Sequence, residues 1–270
     1  MKQPFLIKPK MWVYLLLLFS AIGAMIALNK CSKPSVALQK GSSGDTIDVA
    51  IEYSPLSLYM YDDTLGGFNH DLINMIAKES GMNIKMHPVV NLKESLELLD
   101  KGVYDIIAAQ VPMTADFKDH YLFTDSIFID RQVLVQKKDS LGNIEVKSQL
   151  DITGKTLHII EASPVITRIR NFSRELGDTI HIITEKRYGQ EQLFLMVETG
   201  EIEFAVINEK LAKEMAKKFP DIDISTAVSF NQFHNWILRK DNTKLRDTIN
   251  SNINRLRETV KYKNLYNRYF

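Results

Sequence analysis

Gln110, Pro112 and Thr114 stand in a polar turn that follows a short apolar run at residues 106–109. Ser163 opens a similar turn ahead of a helical pattern at 165–176. Amides and hydroxyls at strand ends donate and accept hydrogen bonds. They supply neither a nucleophile with its activating base nor a pair of positioned acids. The chemistry they fit is recognition of a polar ligand, at the strand ends where open α/β sheets place their clefts. Thr114 reads either as a donor to that ligand or as the cap of the next segment. Ser163 reads either as an anion or carbonyl binder or as a plain N-cap.

No catalytic signature competes with that reading. The chain has no G-x-S-x-G elbow, phosphate loop or dinucleotide fingerprint. Its six histidines, at 70, 87, 120, 158, 181 and 234, show no metal-ligand spacing, so neither a metal nor a cofactor is expected. Asp71, in GFNHDL, sits near a helix start, where a carboxylate complements the helix dipole. Arg168 and Arg170 read as a solvated helix face, and Phe233 and Trp236 as packing near a hinge. Charged residues make up 25 % of the chain and hydrophobic ones 45 %, ordinary values for a folded body. The net charge of +1 hides four lysines in residues 1–30, which leaves −3 on the rest. A mildly acidic body without a basic run argues against nucleic acid.

Positioning these groups requires an alternating chain. Residues 46–52 alternate like a strand, a helical pattern runs from Phe68 to a stop at Gly81, and a strand follows at 84–90. Asn91 caps a second helix that ends at Gly102, and residues 104–109 form the next strand. The order strand, helix, strand, helix, strand implies a parallel sheet with right-handed crossovers. Strands at 131–136, 156–160, 181–184 and 204–207, with helices at 165–176, 191–199 and 211–218, repeat the rhythm without repeating the sequence. Residues 228–238 read as extended, and 242–260 as one long amphipathic helix before a short Tyr/Asn-rich tail. Two α/β lobes joined by extended connections near 127–133 and 226–233 describe a hinged clam-shell. The expected division is 1–45 as anchor or signal plus tether, 46–130 with 228–270 as the first lobe, and 131–227 as the second.

Residues 11–28 form an uncharged apolar segment behind three lysines. Its 18 residues are at the lower limit for spanning a bilayer and exceed a typical signal-peptide core. It reads as an uncleaved anchor, as a lipoprotein signal with lipidation at Cys31, or as a cleaved leader. All three place the body outside the cytoplasm. Cys31, the single cysteine, excludes an intrachain disulfide.

The ordered run TIDVAIEYSPLSLYMYDDTLGGFNHDLINMIAKESGMNIKMHPV, then LLDKGVYDIIAAQVPMT, with ELGDTI…LMVETGEIEFAVINEK and the final LYNRYF, resembles the bacterial extracellular solute-binding proteins, family 3. The resemblance implies a two-lobe periplasmic-binding-protein-like (type 2) α/β fold with its ligand between the lobes. It also implies delivery to an ABC-type permease, and Tyr53 as an aromatic wall of the cleft. The slot where amino-acid binders of that family carry a carboxylate-clamping arginine is Phe117, and the slot of their ammonium-holding acid is Asn208. A bidentate clamp needs a guanidinium, so a free α-amino acid is not the expected ligand.

VNLKESLELLDKGVYDIIAA and FPDIDISTAVSF…HNWILRKDNTKLRDTINSNINRL further resemble the non-catalytic domain of membrane-bound lytic transglycosylase F. There the domain precedes a catalytic one, which would begin where this sequence stops, so the expectation is a binding protein and not an enzyme. The function read from the sequence is a membrane-tethered receptor on the periplasmic face. It would close on a small polar or peptide-like ligand through Tyr53, Gln110, Pro112, Thr114, Phe117, Ser163 and Asn208. The alternative is a sensory module for cell-wall fragments that works with cell-wall machinery.

Overall fold

The computed structural model describes residues 46–270 and, ahead of them, Trp12, Leu16, Leu18, Phe19 and Ser20, which are helical. The apolar segment as a whole and Cys31 therefore lie outside the described residues. Among those described, no helix is long and apolar enough to cross a membrane.

The strand TIDVAIE, β1 (Thr46–Glu52), is central to the first sheet. It pairs in parallel with β4 (Asn83–Val89) on one side and with β5 (Ile106–Ala108) on the other. Val49, Ala50 and Ile51 are accordingly buried in succession, as a strand covered on both faces requires. Between β1 and the first helix lies a hairpin of β2 (Tyr59–Tyr61) and β3 (Thr64–Gly66), turned by Asp62 and Asp63, both at positive φ. Helix α1 (Phe68–Ser80) starts at Gly67, whose φ of 125° and position 2.2 Å from the Ser57 carbonyl oxygen, measured from where a Cβ would stand, admit only glycine. It ends at Gly81 in the left-handed region. It buries Phe68, Leu72, Ile73 and Ile76 against the sheet.

Asn91 caps α2 (Leu92–Asp100) by accepting from the Glu94 amide at 3.0 Å, and its side-chain amide also donates to the Lys186 carbonyl oxygen of the second lobe. Asn91→Ala is expected to cost about 1 kcal/mol in urea unfolding. An unchanged midpoint would show that neither bond matters to stability.

After β5 come the short helix α3 (Ala115–His120), β6 (Tyr121–Phe123) and β7 (Phe128–Asp130). The second lobe contains β8 (Gln132–Lys137), β9 (Thr156–Ile160), α4 (Val165–Leu176), β10 (His181–Glu185), α5 (Gln190–Thr199), β11 (Phe204–Asn208), α6 (Glu209–Ala216) and β12 (Ile222–Asp223). The chain returns through β13 (Gln232–His234) and β14 (Ile237–Arg239) and ends in α7 (Thr243–Arg257) and α8 (Val260–Tyr269). The sheet orders are β4-β1-β5-β14-β6 and β10-β9-β11-β8-β12. The outgoing β7 and returning β13 pair antiparallel, with His234 opposite Phe128 and Gln232 opposite Asp130.

Two expectations need correction. The first sheet is parallel only at β4-β1-β5, because β14 returns from the other lobe and inserts antiparallel between β5 and β6. The expected single helix over 242–260 is two. The Thr259 hydroxyl accepts from the Tyr262 amide at 3.2 Å and starts α8, so the Tyr/Asn-rich tail is helical. That turn sends Tyr262, Tyr266, Tyr269 and Phe270 back onto Phe68, with ring centroids 4.8–6.5 Å away. Two residues of the first lobe also reach the second. Leu56 is buried with Val133, Leu193 and Phe194, and Phe270 packs against the cores of both lobes.

Candidate functional site

Both lobes turn the C-terminal ends of parallel strands toward a common seam. From the first lobe come Glu52, the last residue of β1, and Gln110, just past β5. From the second come Asn208, the last residue of β11, Gln190 at the start of α5, and Gln132 at the start of β8.

Asn208 is fully buried and fully used. Its side-chain amide donates across the seam to the Gln110 carbonyl oxygen at 2.9 Å and the Gln110 Oε1 at 3.2 Å. Its Oδ1 accepts from Gln132 Nε2, and its backbone N–H donates to Gln190 Oε1 at 2.7 Å. Glu52 accepts from the Gln110 backbone N–H at 3.0 Å, and Gln190 Nε2 approaches it at 3.5 Å. On the rim, Lys93 pairs with Glu161 of the other lobe at 3.1 Å.

The seam is thus closed by the protein's own amides, and the space within it is about 20 Å³, enough for one water. Glu52 is the single ionisable side chain among the residues lining it, and no lysine, arginine or histidine lines it. Burial pushes the Glu52 carboxyl up to about 7, against the opposing hydrogen bonds from Gln110 and Gln190 and with added repulsion from Glu191.

Gln110, Pro112, Ser163 and Asn208 all line this seam. The Ser163 side chain makes no capping bond to α4, although the Ser163 carbonyl oxygen accepts from the Ile166 N–H at 3.2 Å, and the residue follows Ala162, held at a strained φ of 65°. Thr114 lies in a neighbouring groove, where its hydroxyl is shielded from solvent and has no hydrogen-bond partner; it does not cap α3.

Two expected wall residues are not brought to the seam. Tyr53 follows Glu52, and side chains alternate along an extended chain, so Glu52 facing in puts Tyr53 out. It is 41 % exposed and lines a separate groove with Tyr59, Tyr61 and Phe270. Phe117 falls on α3 and packs against Tyr121, ring centroids 5.9 Å apart. Arg168 differs from the expected solvated residue as well, being half-buried in the Thr114 groove.

Sequence reasoning missed Glu52, Gln132 and Gln190. The signal for Glu52 was present, since it is an acid ending a strand at the cleft edge. Among the described residues, no group of three His, Cys, Asp or Glu is arranged to hold a metal.

Beneath the seam, the hinge strands hold two buried titratable groups. Asp130 accepts from the Arg131 N–H at 2.9 Å and the Lys210 N–H at 3.3 Å, and burial pushes it up to about 6. His234 stacks on Phe128 at 5.1 Å, and its ring nitrogens have no hydrogen-bond partner of normal geometry. Burial holds it down to about 3, so it is neutral.

The sequence model of the bacterial extracellular solute-binding proteins, family 3, matches residues 46–270. The chain belongs to that family. Curated relatives include membrane-bound lytic murein transglycosylase F of Desulfosudis oleivorans, 24 % identical over 224 residues that cover 83 % of this chain and 48 % of the relative. The enzyme of that name from Aeromonas hydrophila is 24 % identical over 225 residues, covering 83 % and 44 %. The chain therefore spans about half the length of the curated relatives it matches.

Among solved structures, an ancestral arginine-binding protein bound to arginine superposes with a TM-score of 0.73 at 22 % identity, covering 84 % of this chain and 98 % of that one. Holo ArgBP from T. maritima gives 0.65 at 23 %, covering 84 % and 96 %. These likenesses establish the two-lobe, periplasmic-binding-protein-like fold.

Proposed function

We propose that this family 3 protein is an extracytoplasmic receptor, tethered to the membrane through residues 11–28, that closes its lobes on a peptide-like fragment. The observation that carries the reading is the composition of the seam: four side-chain amides, one carboxylate and no cation. Gln110, Gln132, Gln190 and Asn208 can exchange their mutual hydrogen bonds for those of a ligand's amides, and Glu52 can receive an ammonium or N–H group. A free α-amino acid would bring a carboxylate to a seam that has no guanidinium for it. Ligand contacts to both lobes favour closure only by their excess over the protein's own seam bonds.

A sensory role in cell-wall surveillance shares this ligand chemistry and differs in its output; the transglycosylase F relatives support it. Delivery to a permease is the other output, and the binding-protein fold supports that.

Thermal unfolding with tripeptides, cell-wall peptide fragments and free amino acids, all at one common concentration, tests the reading. A peptide present at a hundred times its dissociation constant is expected to stabilise by about 2.7 kcal/mol, a shift of several degrees. Asn208→Ala is expected to reduce the shift. A strong response to ordinary free amino acids with none to peptides would overturn the proposal.

A further inference from the structure

A groove of about 330 Å³ opens beside the seam, and the two share Pro164 as a wall. Thr114 and Asp116 of the first lobe face Thr167, Arg168 and Glu175 on α4, with Gln232 of the hinge strand between them.

Two features of this groove call for a ligand. Arg168 is held in place without being neutralised. Its Nε donates to the Val228 carbonyl oxygen at 3.2 Å, and its guanidinium lies over the Phe230 ring, 5.1 Å from the centroid. Among the described residues no carboxylate comes within 4.0 Å of it, although Asp116 and Glu175 stand on the exposed rim. The terminal nitrogens keep their donors, in the planar fork that matches a carboxylate. The second feature is the Thr114 hydroxyl, shielded from solvent and without a partner. A buried polar atom left unbonded is costly, and a bound acceptor would recover that cost.

We infer that the groove is a second ligand subsite and takes the carboxylate-bearing end of an elongated, peptide-like ligand whose other end enters the seam. Arg168 is the bidentate partner of that carboxylate, and Thr114 donates to it. The rim carboxylates Asp116 and Glu175 disfavour polyanions, so the ligand carries a single terminal acid. This inference rests on the peptide reading of the seam and adds the length and polarity of the ligand to it.

Isothermal titration of the full chain with a pool of tripeptides, and with the same pool amidated at the C-terminus, tests it. The wild type is expected to bind the free-acid pool about 10-fold more tightly, roughly the worth of one charge-assisted pair. Arg168→Gln is expected to erase that preference, chiefly by weakening binding of the free-acid pool. Arg168→Lys, which keeps the charge and loses the fork, is expected to restore only part of it, and Thr114→Val to reduce it. Far-UV circular dichroism confirms that each variant is folded. Equal binding of both pools by the wild type, or a preference that survives in Arg168→Gln, overturns the subsite while leaving the peptide reading intact. Binding of neither pool overturns both.

Discussion

Trp236→Ala is expected to lower the unfolding free energy by about 3–5 kcal/mol, the largest stability loss from any single substitution considered for this protein. The indole is 2 % exposed and lies between β13 and β14, where the returning chain leaves the hinge and enters the first sheet. It packs in the core that contains Phe68, Leu72 and Leu238. Its Nε1–H donates to Asn69 Oδ1 at 3.1 Å, and Asn69 in turn donates to Ser57 Oγ at 2.8 Å. Its backbone N–H donates to Thr124 Oγ1 at 3.0 Å, and its carbonyl accepts from the Thr124 N–H at 3.0 Å.

Alanine removes the packing and leaves a buried amide oxygen without its donor. Trp236→Phe keeps most of the packing and isolates the second effect, expected at about 1–3 kcal/mol. Urea unfolding separates the two, with an unchanged denaturant slope for both variants. A loss below about 1 kcal/mol for alanine would show that the core collapses around the site and that Trp236 does not tie hinge to lobe.

Much of this frame is legible in local sequence. The periodicity of TIDVAIE, the Gly81 stop and the Asn91 cap each act within a few residues, and the elements they bound are those of the structure. Gln110, Pro112 and Ser163 were recognisable because a cleft at strand ends is a rule of topology, and Asn208 through the slot that the family resemblance assigns it.

What escaped depends on distance along the chain or on side-chain direction. Gln132 meets Asn208 across 76 residues, and nothing local in QVLVQK distinguishes that glutamine from Gln136, which serves a loop. The family resemblance points to Tyr53, whereas strand alternation turns Glu52 toward the seam and Tyr53 away from it. The break before α8 contains neither glycine nor proline; it depends on a Thr259 hydroxyl within an otherwise continuous amphipathic pattern. The half-buried state of Arg168 follows from Phe230 and Val228, 62 and 60 residues away, so its sequence neighbourhood suggested only a solvated helix face.

Raising the pH from 6 to 8 is expected to open the unliganded lobes, and Glu52→Gln is expected to abolish that response. In the closed seam burial pushes the carboxyl from its ordinary 4.5 up to about 7. An open or unfolded chain hydrates the group and returns it toward the ordinary value. Closure is therefore at full strength below about 4.5, where the group is protonated in both states, and weakens as the pH rises through 7. The cost above 7 is on the order of 1–3 kcal/mol, enough to move a two-state equilibrium between mostly closed and mostly open.

Asp130, pushed up to about 6, acts in the same direction but over a lower range, so Asp130→Asn should leave the response between 6 and 7 in place. His234 acts oppositely. Held down to about 3, it contributes stability above 6.5 that is lost as the pH falls, and it cannot produce opening in alkali.

Energy transfer between dyes on the two lobes reads the opening. A pH-insensitive wild type, or a Glu52→Gln variant that still opens, would remove Glu52 from this role. Ligand binding supplies an independent check. An ammonium placed beside Glu52 favours its ionised form, so binding to the closed form at pH 7 is expected to release at most about half a proton, and less in proportion to the open fraction, measured by titration calorimetry in buffers of different ionisation enthalpy. A ligand that offers Glu52 only a neutral hydrogen-bond donor would release fewer, which makes the proton count a direct assay of the ligand's charge at the seam.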